Sequence, residues 1–330
     1  MNRYIYSRIC ISVIRVIAFQ RVKIYHFKIL KSTLILKKFK SYNIICMKYY
    51  LSVILAMLMW SSSFIATKLT YQSISPILLC CVRFAISYFL LFLYRFITKQ
   101  NTKVEKKDLK VIIFSAIGGI SIYYTLENIA LSLTSASMTS LIEAAYPVLT
   151  ILVGIFIYHE RTNKRTILGI CMSIIGVVLL TNLTQASSDL LGNVLLIIGG
   201  ILWGFYNYLV QKIPNKYDSI TITYYQMLFG TIGFIPMLFL EKPMFRNIDI
   251  NIILSLLYLS AGCSVLALLL YNYGLKKIPA SHASTLMNVM PIFGIILSAL
   301  ILHESITMNQ IIGGIIILLG VFISTRKESS

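Results

Sequence analysis

The chain has 330 residues, 58% of them hydrophobic and only 12% charged, with a mean hydropathy of +0.81. A water-soluble domain carries roughly a quarter charged residues, so a soluble globular fold is excluded. The net charge of +19 invites a nucleic-acid partner, but the basic residues fall in a leader segment and in short loops between apolar runs, and no nucleic acid is expected.

Residues 1–46 differ from the rest. They hold ten of the thirty basic residues and no acid, and the basic positions recur too often for any apolar run to span a membrane. No signal-peptide core or cleavage site is present. The segment reads as a disordered tail or an upstream-start artefact rather than as a basic helix on an anionic leaflet.

From Met47 onward the apolar runs approach the ~18 to 20 residues that cross ~30 Å of hydrocarbon. Ten spans are expected, near residues 49–67, 75–97, 109–127, 131–157, 164–182, 189–211, 219–240, 250–271, 280–302 and 308–325. The fold class is therefore an all-α polytopic membrane protein. With Met47 on the cytoplasmic side, sixteen Lys and Arg fall in inner loops against Lys68, Lys242 and Arg246 outside and Arg83 within a span. That bias puts both termini in the cytoplasm of a plasma-membrane, multi-pass chain.

One stretch is written twice. Residues 130–180 superpose without a gap on a second copy starting at Gly274, at an offset of 144 residues. The offset carries Ala136-Ser137 onto Ala280-Ser281, Pro147 onto Pro291, His159-Glu160 onto His303-Glu304, Gly169 onto Gly313 and Gly176 onto Gly320. A long internal repeat governs the fold: the expected units are 47–182 and 183–330, five helices each. Because five is odd, the second enters the membrane upside down. The turn after Glu160 carries Arg161, Lys164 and Arg165, whereas its counterpart after Glu304 has no positive charge, as opposite sides require. Inverted repeats are the build of secondary transporters, with the site near the midplane between them.

Candidate site residues follow from polar groups inside spans, which are costly unless they face a wet path. In the fourth span Ser135, Thr139, Glu143, Tyr146 and Thr150 share one helical face. Pro147 has no N–H for the Glu143 carbonyl, so a carboxylate and a bare carbonyl meet near mid-span, which suits proton exchange or a substrate ammonium. A structural acid paired with a neighbouring cation is the bland alternative. In the ninth span Pro291 does the same to Met287, beside Ser281, Ser284 or Thr285, and Asn288. Pro147 and Pro291 are the expected helix breaks, a simple packing kink being the alternative. Tyr123 and Glu127, and likewise Tyr124 and Asn128, lie four apart in the third span, with Glu127 at its end. Arg83 is placed to pair with Glu127, as a gate or as a static brace. Trp60, followed by Ser61–Ser63, and Trp203, near Tyr206 and Asn207, are cavity candidates or packing anchors; Tyr225, Gln226, Tyr271 and Asn272 are weaker ones. Glu160 and Glu304 are expected to favour the N-terminus of the helix that follows each.

Cys10, Cys46, Cys80, Cys81, Cys171 and Cys263 form no metal or disulfide spacing, and Asn163 and Thr307 stand where HExxH would need histidine. No catalytic residues, metal or cofactor are expected, and the chain does not read as an enzyme.

The runs ALSLTSASMTSLIEAAYP with HERTNKRTILGICMSIIGV, and PASHASTLMNVMPIFG with HESITMNQIIGGIIILLGV, resemble the two domains of an EamA-type permease of the drug/metabolite transporter superfamily. WSSSFIATK and the arginine of CCVRFAISYFLL resemble that family's first two spans. The resemblance covers about 47–325 and implies ten helices, a central cavity between inverted halves, alternating access, and export of amino acids, metabolites or drugs. The expected function is thus proton-coupled secondary transport of a small-molecule substrate across the lipid bilayer, with Glu143 as the coupling candidate; a homodimer is compatible with the sequence. A nucleotide-sugar or sugar-phosphate exchanger would need a cavity rich in Lys and Arg, and only Arg83 and Lys68 are available. A non-transporting scaffold would not need polar, proline-bent helices in both halves.

Overall fold

The computed structural model describes residues 47–100, 103–160, 163–181, 187–280, 283 and 286–325. The expectations for residues 1–46, Arg161, Ser281, Ser284 and Thr285 lie outside the described residues. Helices follow one another as α1 (Met47–Thr70), α2 (Pro76–Thr98), α3 (Lys106–Leu133), α4 (Ala136–Tyr158), α5 (Lys164–Thr181), α6 (Ser187–Lys212), α7 (Ser219–Leu240), α8 (Ile250–Leu275), α9 (Leu286–Ile301) and α10 (Met308–Thr325). Among the described residues, seven of these (α1–α4 and α6–α8) are long and apolar enough to cross a membrane, and α9 and α10 are shorter apolar helices. The protein is all-helical and multi-pass; the sole strand-like feature among the described residues is an isolated bridge between Ile74 and Phe245.

α3 differs from its expected extent. It continues past Glu127 to Leu133, and its polar side chains are satisfied by its own backbone: the Asn128 amide donates back to the Tyr124 carbonyl (2.9 Å) and the Ser132 hydroxyl to that of Ile129 (2.7 Å). Those bonds let polar residues sit inside a helix. Glu127 therefore lies six residues, about 9 Å, inside the end of α3 rather than at its mouth. α4 starts later than expected, at Ala136, with Ser135 as its cap accepting from the Met138 N–H at 3.0 Å. It is interrupted at Ala144–Ala145, where Pro147 gives nothing back to the Glu143 carbonyl. The chain bridges the break with tighter bonds, Ala145 N–H to Ile142 and Val148 N–H to Ala145. α3 and α8, third in each repeat, both contain π-helical turns, at Ile117–Ile122 and Tyr258–Leu266.

α5 and α10 pack along each other through their glycines. A Cβ on Gly176 would lie 2.9 Å from the Gly313 carbonyl, and one on Gly320 2.7 Å from that of Gly169. Positions 144 apart thus exchange roles, and Ser173 donates to the carbonyl of its own counterpart, Ile317, at 3.4 Å. Rising numbers on one helix meet falling numbers on the other, so the pair is antiparallel about a local two-fold axis crossing the helices.

The duplicated His-Glu pairs are helix stops. His159 and His303 adopt the left-handed conformation, with φ of 54° and 53°, a region in which His is enriched among non-glycine residues. The N–H groups of Glu160 and Glu304 then fold back onto Gly154 and Ser298, again 144 apart. Among the described residues neither glutamate serves the helix that follows it. Glu304 reaches across to the start of α4, accepting from Ala136 N–H at 2.9 Å and Ser137 N–H at 3.0 Å, and pairs with Lys68 at 3.3 Å. Glu160 accepts from the Tyr208 hydroxyl at 2.8 Å. The left-handed stop turns the chain aside, so each carboxylate points at a neighbour rather than along its own axis.

The ends of the bundle are tied separately. At the Glu304 end, Glu241 accepts from Ser75 Oγ and the Leu78 N–H, both at 2.8 Å, which caps α2. At the opposite end Tyr217 donates to Asp108 at 2.7 Å and accepts from the Glu105 N–H at 3.1 Å. Lys216 pairs with Glu105 and Asp108 there, and Lys276 donates to the Tyr217 carbonyl. Lys107 also pairs with Glu105, at 3.0 Å, and the bonds from Lys216 and Lys107 hold the Glu105 carboxyl below its usual range.

Candidate functional site

Two carboxylates are buried within the bundle. Glu143 ends the first half of α4 and is 1% exposed; Glu127 of α3 is 7% exposed. Glu143 lies seven residues, about 10 Å, below the start of α4, so both acids sit at similar depth from the Glu304 end. Neither forms an ion pair among the described residues. Their nearest donors are weakly placed: the Tyr123 hydroxyl reaches Glu143 at 3.5 Å and the Asn128 amide reaches Glu127 at 3.4 Å. A buried ionised carboxylate without a partner is costly, so these two groups need a proton or a cation.

Both acids line one cavity with the rings of Trp60, Phe64, Tyr123, Tyr124 and Trp203, the side chains of Met287 and Met290, and Ser63. The space is about 10 Å³, roughly room for a single water. Its walls are mutually packed aromatics. Trp60 meets Trp203 edge-on with centroids 5.4 Å apart, and Trp203 lies 5.1 Å from Tyr123. The Trp60 indole N–H is held by the Cys263 carbonyl at 2.8 Å, in the π-helical part of α8, whereas Trp203 packs against the Tyr271 ring at 5.3 Å between centroids.

Of the residues singled out from sequence, Trp60, Tyr123, Glu127, Glu143 and Trp203 converge on this cavity. Tyr146 stands behind Tyr123, with ring centroids 6.3 Å apart. Thr139 is buried and donates to the Ser135 carbonyl, one turn back. Asn288 is not among the lining residues; its neighbours Met287 and Met290 are, and its side-chain oxygen is buried without a partner. Asn207 accepts from the Tyr271 hydroxyl at 2.7 Å. It belongs to the layer beyond the tryptophans, where Tyr206, Asn272, Gln226 and Ser115 form a buried chain of hydrogen bonds.

Arg83 does not pair with Glu127. Its Nε donates to Ser264 Oγ at 2.5 Å, and its guanidinium lies 5.3 Å from the Tyr124 ring centre and 5.5 Å from that of Phe84. With Glu127 set back inside α3 and the Tyr124 ring beside the guanidinium, Ser264 on a π-helical turn becomes the nearer acceptor. Sequence reading also passed over Phe64 and Met290. Met290 carried a signal, being the counterpart, 144 residues on, of Tyr146; Phe64 carried none.

Comparison with known proteins agrees with this architecture. The sequence profile of the EamA-like transporter family matches residues 47–182 and 190–326. An Archaeoglobus fulgidus protein named "uncharacterized transporter" is 30% identical over 85% of this chain and 98% of its own length. A second from the same organism is 26% identical over 86% of this chain and all of that protein. The uncharacterized transporter YetK of Bacillus subtilis is 25% identical, covering 84% and 87%. A solved crystal structure superposes with a TM-score of 0.64 over 84% of this chain and 96% of that one; at 18% identity the likeness is one of fold alone.

Proposed function

We propose that this chain, which belongs to the EamA-like transporter family, is a secondary active exporter that couples movement of a small organic solute, an amino acid-like metabolite or a drug-like compound, to proton exchange. It works by alternating access between two inverted five-helix halves, 47–182 and 183–330, in a plasma membrane with both termini cytoplasmic. The observation that carries this reading is the pair of buried carboxylates, Glu127 and Glu143, without ion pairs, in a cavity beside the interruption of α4. A carboxylate so placed binds a proton when the cavity is closed and dry, and releases it when water or a cation enters. The nearly closed cavity corresponds to an occluded state, and the inverted arrangement is supported by the two-fold exchange of contacts between α5 and α10. A sugar-phosphate type of substrate is disfavoured, because the cavity is lined by two acids and by no Lys or Arg.

The test is proton flux in proteoliposomes carrying a pH-sensitive dye. An applied solute gradient drives lumenal pH change in the native protein, and Glu143→Gln abolishes it while folded protein level is kept. Undiminished proton movement in that variant would remove Glu143 from the mechanism.

A further inference from the structure

The cavity is built by a two-fold frame but is not two-fold in chemistry. At the 144-residue offset Glu143 corresponds to Met287, Tyr146 to Met290 and Glu127 to Tyr271. Glu143, Glu127, Met287 and Met290 all line the cavity. One half of the chain therefore supplies negative charge and the other supplies thioethers, and the rings of Trp60 and Trp203 line the same space. A ligand matching such a lining has a positively charged end and an apolar body.

We infer that the solute is an amphiphilic organic cation, an amine or quaternary ammonium carrying an aromatic or aliphatic body and no carboxylate. This narrows the transporter reading above and rests on it for the site but not for flux. Several observations support the class. Neither carboxylate has an ion-pair partner within 4 Å among the described residues, and two acids against the single nearby guanidinium of Arg83 leave room for a further cation. The faces and edges of Trp60, Trp203, Tyr123 and Tyr124 surround the same space, and aromatic walls attract ammonium groups by their quadrupoles. Methionine side chains adapt to varied apolar shapes. A zwitterionic amino acid would need a cation for its carboxylate. The candidate is Arg83, whose Nε is bonded to Ser264 and whose Nη2 is buried without a hydrogen-bond partner among the described residues, but Arg83 does not line the cavity.

The chain carries its own reporter. It has only two tryptophans, and both line this cavity. Tryptophan emission of the purified full-length protein is titrated with four probes sharing one ring: benzyltrimethylammonium, benzyl alcohol, phenylacetate and phenylalanine. The expected result is a saturable change with the quaternary ammonium and responses at least ~10-fold weaker in apparent affinity for the neutral, anionic and zwitterionic probes. Glu143→Gln and Glu127→Gln, each tested as folded protein, weaken the ammonium response by ~10-fold or more. The proposal is overturned by no saturable response to the ammonium, by preference for phenylalanine or phenylacetate, or by unchanged affinity in both variants. Saturable cation binding without flux in liposomes would uphold the cation site and overturn the transport reading. Flux of some other solute with no ammonium response would do the reverse.

Discussion

Glu304 ties the end of α9 to the start of α4, and its removal is the most informative single perturbation. Its carboxylate takes two backbone N–H groups, from Ala136 and Ser137, at 2.9 and 3.0 Å. These are among the first N–H groups of a helix, which have no partner within it. A hydrogen bond to a charged group contributes about 1.5–3 kcal/mol, and loss of a cap costs about 0.5–2 kcal/mol. Because the two bonds share one carboxylate and part of their value is the same helix-end charge, Glu304→Ala should destabilise the fold by about 2–3 kcal/mol. Glu304→Gln retains one acceptor and should cost about 1 kcal/mol. Lys68→Met should cost less than either, since partly exposed ion pairs are worth about 0–1 kcal/mol. Burial works to raise the Glu304 pKa, but the N–H groups of Ser137 and Ala136, with Lys68, outweigh it and hold the carboxyl below its usual value. A lowered folded-state pKa gives stability that is full above the unfolded value of about 4.3 and is lost as pH falls through the folded one. The gap between native protein and Glu304→Gln should therefore be constant from pH 7 to pH 5.5 and close only in stronger acid. Equilibrium unfolding of the purified protein in mixed micelles measures it. A Glu304→Ala protein within about 0.5 kcal/mol of native, or Lys68→Met costing more than Glu304→Gln, would refute the reasoning.

Two further outcomes follow from packing and from the repeat. Gly176→Ala would place a methyl 2.9 Å from the Gly313 carbonyl and 2.7 Å from Ile317 Cγ1, forcing α5 and α10 apart; overpacking of this kind costs about 1–3 kcal/mol. Gly118→Ala meets nothing within 4 Å and should leave the same unfolding midpoint unshifted or slightly raised, so equal effects of the two would discredit the crossing. Single cysteines at Asn163 and Ser305, in the turns after the two His-Glu stops, should react with a membrane-impermeant maleimide from opposite faces of the membrane. Labelling of both from one face would rule out inverted halves.

How much of this was legible in the sequence depended on range. The two-fold frame was legible because duplication leaves identical residues at one offset, and the glycines of α5 and α10 carry it in both directions. Glu143 was legible because a carboxylate and a proline four residues on are rare neighbours in an apolar run. Glu127 was placed too near the surface: YYTLEN reads locally as a helix end, whereas in the fold the Asn128 amide is satisfied by the Tyr124 carbonyl inside a continuing helix. The π-helical turns in α3 and α8 have no local sequence mark, since they reflect one extra residue accommodated by packing. The partner of Glu304 could not be read either, because Ala136 is 168 residues away and is joined to it only by the fold. Arg83 went to Ser264 for the same reason, over a separation of 181.

The difference between frame and lining has a physical cause that bears on mechanism. A fully two-fold cavity would put a carboxylate at Met287 as well as at Glu143, and acid at Tyr271 as well as at Glu127. Four acids around a space of about 10 Å³ would repel one another strongly at low dielectric, and the closed state would form only with most of them protonated. Confining the acids to the first half leaves a closed state that one or two protons can neutralise. It also gives the cavity a polarity that a two-fold one would lack, so a ligand is oriented by its charge as well as its shape. On the alternating-access reading proposed above, the duplicated His-Glu stops and glycine crossings would let either end of the bundle open by similar movements. On that reading chemical asymmetry decides what is carried, and symmetry of the frame allows it to be carried from one side to the other.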